Sequence, residues 1–177
     1  GKTIRFGYIT VENCREITSN NLETAFYAVT FAVDIDTFFI AFRGTDDKIL
    51  SFYDDAKLAY SFPIASQTTA MGYVTERLSE HNGNFFLGGH SKGGNQALFA
   101  YMFLRDDEKS RILRVYNNDG PGFPQEIADI LFTPANCEKV YNLLPEDSII
   151  GRMLTDGGKI KIVKSTASGV AQHNMFT

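Results

Sequence analysis

Residues 85–101 read FFLGGHSKGGNQALFAY. An apolar run gives way to Gly89-His90-Ser91-Lys92-Gly93, and a helical pattern follows. A serine set between glycines where a strand turns into a helix occupies a turn too sharp for larger neighbours, with its hydroxyl exposed at the sheet edge. The stretch therefore predicts a nucleophile elbow at Ser91, the reactive turn of a serine hydrolase. G-x-S-x-G alone is a weak signal in a chain with 15 glycines, and its weight comes from this strand-to-helix setting. Gly89 and Gly93 let strand and helix pass close to the turn. The helix N-terminus aims amides and positive dipole at an oxyanion forming beside Ser91.

The flanking sequence supplies elements to carry such a turn. Residues 4–11 and 26–33 have strand composition, and after Asp34-Ile35-Asp36 the run TFFIAF (37–42) resumes, which predicts a hairpin leading into a buried strand. Helical spacing over 66–80 and 96–104 alternates with short strands at 85–87, 111–117 and 139–144. Residues 149–155 and 159–164 flank Asp156-Gly157-Gly158, which predicts a closing hairpin. Strands alternating with helices imply a mostly parallel sheet with an antiparallel start, joined by right-handed crossovers. No linker or repeat interrupts residues 1–177, so a single domain is expected.

Bulk properties narrow the function. With 177 residues and 44% hydrophobic content the chain can bury one substantial core. A net charge of -4 without a basic block gives nucleic acid no electrostatic support as a partner. No apolar run reaches the ~20 residues of a membrane span. Cys14 and Cys137 lie in no metal or disulfide pattern, so two isolated buried thiols are expected, as suits a reducing cytoplasm. Gly1-Lys2-Thr3 leads into a strand rather than a helix, and Ser91 precedes Lys92, so neither place makes a nucleotide-binding phosphate loop.

A serine nucleophile needs a base, and the chain has three histidines. His81 falls in a polar helix end and is expected in solvent. His90 adjoins Ser91, but adjacent residues on an elbow diverge, which predicts a packing role. His173, in SGVAQHN near the chain end, remains as the base. The acid that fixes its tautomer is expected at Asp147, after a strand and before His173. Asp119, also after a strand, is the main competitor; its neighbours Gly120, Pro121 and Gly122 suggest a turn-forming role. Asp156 ranks lower, as a hairpin residue. The oxyanion hole is expected from the amides of Lys92 and of Thr45, which follows Gly44 at the end of TFFIAF. The cationic side chain of Lys92 opposes the helix dipole, and points either to an anionic substrate group or into solvent. No cofactor and no metal ion is required.

Taken together, these segments resemble the class 3 (fungal-type) lipases. FAVDIDTFFIAFRGTDD resembles their strand ending in F-R-G-T or F-R-G-S, GGHSKGGNQALFAYM their elbow and helix, and VYNLLPEDSI their acid-bearing strand end. The chain is more closely similar to a bacterial lipase-like family of uncharacterised function, through GHSKGGN (89–95), DGPGF (119–123), PEDSIIG (145–151) and QHN (172–174). The resemblance implies an α/β-hydrolase fold with helices on both faces of the sheet. It implies Ser91, Asp147 and His173 as a triad, Thr45 and Lys92 as oxyanion donors, and a small-molecule or lipid ester as substrate. A non-catalytic binding or regulatory module on the same fold is the alternative, and a displaced His173 would favour it.

Overall fold

The computed structural model describes residues 7–19, 24–44, 57, 58 and 60–177. Strands β1 (Thr10–Ser19), β2 (Thr24–Asp34) and β3 (Thr37–Phe42) form an antiparallel meander. Helix α1 (Ala65–Glu80) leads to β4 (Asn84–His90), then α2 (Lys92–Phe103) and the short α3 (Asp106–Ser110) lead to β5 (Ile112–Asn118). Two short helices, α4 (Gln125–Leu131) and α5 (Pro134–Cys137), precede β6 (Val140–Pro145), and β7 (Lys159–Val163) closes the sheet. The strands stand in sequence order β1 to β7 in one seven-stranded sheet, and every pair from β3 onward is parallel. The expected fold class, a mostly parallel sheet with an antiparallel start and helices packed on it, is the observed one.

Strand order decides where the helices go. Right-handed crossovers that always step in the same direction across a sheet place their helices on the same face. Alternation on β3 turns Phe38, Ile40 and Phe42 to that face, where they meet Ala70, Tyr73 and Val74 of α1 and the buried stretch Ala97 to Met102 of α2. Phe62, Phe99 and Phe123 pack edge to face there, with Phe62 5.5 Å from Phe99 and 5.3 Å from Phe123. Each fully buried aromatic of this kind stabilises the fold by about 2 kcal/mol. Among the described residues, helices on both faces are therefore not found. The opposite face carries a ladder of rings, Phe39, Phe86, Tyr116 and Tyr141, with successive centroids 5.9–6.5 Å apart.

Three local expectations are corrected. Of the strand expected at 4–11, residues 4–6 lie outside the described residues; among the described ones the strand begins at Thr10 and runs through ENCREITS, because backbone pairing with β2 outweighs its polar composition. The closing hairpin is absent: β7 pairs parallel with β6, and Ile150–Arg152 is a turn of 3-10 helix, because the intervening chain crosses the helical face and bridges Phe123 through Thr155. Cys14 is exposed, on the edge strand β1, and Cys137 half-buried, so neither is the expected buried thiol.

All the parallel strands end at one edge, and the elbow forms there. A Cβ on Gly93 would lie 2.3 Å from the Phe42 carbonyl oxygen, so only glycine lets α2 start this close to β3. Gly93→Ala is expected to cost about 1–3 kcal/mol in urea unfolding through overpacking. In contrast, Gly72→Ala, inside α1 with nothing within 4 Å of its added methyl, should stabilise the chain; a neutral Gly93→Ala would contradict the tight approach.

Candidate active site

Ser91 stands between β4 and α2 with φ 56° and ψ -129°, a strained conformation for a residue bearing a Cβ. Its side chain does not cap α2, so the hydroxyl is not spent on the helix. The backbone around it is fixed: the Ser91 amide donates to the Asn118 carbonyl at 3.0 Å, and the Ser91 carbonyl accepts from Gly94 at 2.9 Å and Asn95 at 3.2 Å. The loop after β3 runs beside the turn, since a Cβ on Gly44 would meet the His90 carbonyl oxygen at 2.6 Å and Ser91 Cβ at 3.3 Å. Thr45, the expected second oxyanion donor on that loop, lies outside the described residues.

His173 sits in a 3-10 turn, Gly169–His173, and its ring centroid is 4.4 Å from that of His90. The C-terminal segment thus returns to the elbow. The carboxylate it meets is that of Asp119 and not of Asp147: His173 Nδ1 lies 2.7 Å from Asp119 Oδ2. The turn-forming reading of Asp119 is correct as geometry, because φ is 49° there. That left-handed turn is what aims the carboxylate at His173. Its other oxygen, Oδ1, accepts hydrogen bonds from Ser148 Oγ and from the Gly151 amide at 3.1 Å.

Burial of Asp119 pushes its carboxyl up, but the hydrogen bonds from His173 and Ser148, the charge of His173 and the Gly151 amide together outweigh it and hold the pKa below the ordinary value. An ionised carboxylate can only accept. Nδ1 of His173 therefore carries the proton and donates it, which leaves Nε2 as the acceptor.

Asp147 serves a different purpose. Its backbone amide donates to Gln172 Oε1 at 2.9 Å, and its Oδ2 accepts from Gln172 Nε2 at 3.1 Å. Gln172 Nε2 also donates to the Ala167 carbonyl at 3.0 Å. The carboxylate predicted as the acid thus clamps the residue before His173 and fixes the segment that delivers the imidazole. Gln172, buried and held by three side-chain hydrogen bonds, was not anticipated as a site residue.

A second unanticipated set is the buried asparagines. Asn95 on α2 donates to the carbonyls of Pro121 and Gly122, both at 3.0 Å, and accepts from Gln67 of α1 at 2.8 Å. Asn117 donates to the Gly120 carbonyl and to Asn142 Oδ1, each at 3.0 Å. Together they hold the Asp119 loop from below. Their signal in the sequence is polar residues at helix and strand positions that face the apolar core.

Other predictions fare variously. His81 packs on Phe38 with ring centroids 4.3 Å apart instead of standing in solvent. The Lys92 side chain is buried and not directed into solvent. Beside Ser91 lies a pocket of about 170 Å³ whose walls include Leu58, Pro121, Ile150 and Met153.

This geometry and the fold define a chain with the architecture of lipases in the α/β-hydrolase fold. Solved structures agree: Lipase II from Rhizopus niveus is 17% identical, with 81% of this chain and 60% of that one aligned at a TM-score of 0.55. A Rhizomucor miehei lipase in complex with its propeptide is 15% identical over 89% of this chain and 56% of its own, at 0.63. A triacylglycerol lipase from Penicillium expansum is 16% identical over 88% of this chain and 70% of its own, at 0.54. The chain thus spans little more than half the length of the first two lipases, and the likeness is one of fold. The chain belongs to the Mbeg1-like family, whose model matches residues 1–177. Comparison with curated proteins finds no sequence match. No helix among the described residues is long and apolar enough to cross a membrane.

Asp156, next to the relay, offers a test of the site's electrostatics. Burial, and after it the charge of Asp119, pushes its carboxyl up to about 7, and its Oδ1 is buried without a hydrogen-bond partner. A folded-state pKa above the unfolded value means the folded chain holds the proton that the unfolded chain has lost. Stability therefore falls as the pH rises from the carboxylate range toward 7. Asp156→Asn is expected to stabilise the chain at about pH 8 by roughly 2–4 kcal/mol, with the gain shrinking steadily toward pH 4 in urea titrations. A gain that does not change with pH would contradict a buried, titrating carboxyl.

Proposed function

We propose that the chain is a serine hydrolase that cleaves a carboxylic ester, of an acyl lipid or a small acyl compound, through an acyl-enzyme. The observation that carries this reading is the Asp119–His173 hydrogen bond, with the His173 ring 4.4 Å from that of His90, the residue next to a serine held at positive φ on a strand-to-helix turn. The likeness to lipase structures supports it at the level of fold.

In the proposed reaction Ser91 Oγ attacks the ester carbonyl while His173 Nε2 takes its proton. Asp119 holds the imidazole in the reactive tautomer and stabilises the imidazolium that forms. The oxyanion is bound at the start of α2 by the Lys92 amide, with the Thr45 amide as second donor. His173 returns the proton to the leaving alcohol, and a water activated by the same imidazole releases the acid and frees Ser91. The apolar pocket beside Ser91 suits the acyl part of the substrate. These steps need no cofactor.

Intact-mass labelling with a fluorophosphonate checks the reading. The native chain should take up one probe, Ser91→Ala none, and His173→Ala should label slower by about three orders of magnitude or more. A folded native chain that stays unlabelled, or a label that persists in Ser91→Ala, would contradict it. A panel of acyl esters of increasing chain length then ranks substrates.

A further inference from the structure

His90 takes no part in the reaction outlined above, yet it faces the relay. One ligand atom from each of His90, Asp119 and His173 lies within 4.8 Å of the others. The two imidazole rings are tilted by 36°. Two imidazoles and one carboxylate are the donor set of Zn²⁺ and its borderline neighbours.

The dimensions suit such an ion. Zinc bonds of about 2.0–2.2 Å in a tetrahedron set ligand atoms roughly 3.3–3.6 Å apart. Here Asp119 Oδ2 and His173 Nδ1 are 2.7 Å apart, and one donor atom from each of the three residues lies within 4.8 Å of the others, so side-chain shifts of about an ångström bring the set to the required spacing. Asp119 is already steadied through its other oxygen by Ser148 and Gly151, the outer support that orients a ligating carboxylate. A cavity of about 310 Å³ borders all three residues and leaves a way in and room for a water as fourth ligand.

We propose that His90, Asp119 and His173 bind a zinc-type divalent cation, and that its binding silences Ser91. The silencing follows from proton bookkeeping on one ring. A neutral imidazole carries one N–H. When the metal takes the lone pair of His173 Nδ1, the proton that stood there must reside on Nε2, exchanged through solvent. Nε2 then has no lone pair for the Ser91 proton, and Asp119 is bound to the metal instead of the imidazole. The metal site stands on the donor set alone; the silencing rests on the serine hydrolase reading.

The test separates the two. Co²⁺ titrated into the native chain should give a visible d–d absorption band that saturates at one equivalent and is bleached by Zn²⁺. The band should be lost in His90→Gln and in Asp119→Asn, with circular dichroism confirming that each variant is folded. Zn²⁺ should stop fluorophosphonate labelling of the native chain and a chelator restore it, whereas His90→Gln should label with or without Zn²⁺. No cobalt band in the native chain, or a band or zinc sensitivity that survives His90→Gln, would overturn the proposal. Should the native chain take no probe even without metal, the hydrolase reading fails while the cobalt titration still decides the site.

Discussion

The site depends on how one buried carboxylate is satisfied. Taking Asp119 out of water is costly, and the structure offsets that cost by giving each oxygen its own partners. Oδ1 receives Ser148 and the Gly151 amide, and Oδ2 receives the His173 imidazole. Charge-assisted hydrogen bonds of this kind contribute about 1.5–3 kcal/mol each. The result is an anion that stays ionised at neutral pH and can bond to His173 through only one nitrogen. Tautomer and orientation of the imidazole both follow from that constraint.

Much of the surrounding structure can be understood as keeping those partners in place. Ser148 and Gly151 come from the segment after β6, and a Cβ on Gly151 would collide with Asp119 Oδ1 at 2.5 Å. Asn95, Asn117 and Asn142 pin the loop that carries Asp119 to α2, β5 and β6. Asp147 and Gln172 clamp the segment that carries His173. Four stretches far apart in sequence, at residues 89–95, 119–123, 145–151 and 172–174, therefore meet at one sheet edge. The consecutive strand order brings the ends of β4, β5 and β6 side by side there, with His90 paired to Asn118 and Asn118 to Leu143 in register.

The strand-to-helix turn at Ser91 was legible in the sequence as a serine between glycines where the periodicity changes, and His173 drew notice as a histidine in a loop late in the chain. The parallel sheet was legible from alternating periodicities. The carboxylate that meets His173 was not, because it depends on which of Asp119 and Asp147 the returning segment reaches, across 54 residues in one case. Turn chemistry at Gly120 to Gly122 also suggested a purely structural aspartate, although the turn is the device that presents the carboxylate. The one-sided packing of helices was implicit in the strand order, which periodicity does not reveal. The grouping of His90 with the relay was hidden for the same reason as the acid, since its partners are distant in the chain.

The measurement that tests the central claim most directly compares fluorophosphonate labelling rates of Asp119→Asn and Asp147→Asn with the native chain. Asparagine at position 119 keeps the left-handed turn but offers His173 no charge, and at 147 it still accepts from Gln172. The account predicts that Asp119→Asn slows labelling by about two to four orders of magnitude, while Asp147→Asn stays within about tenfold of native. The reverse pattern would assign the imidazole to Asp147 and contradict the account.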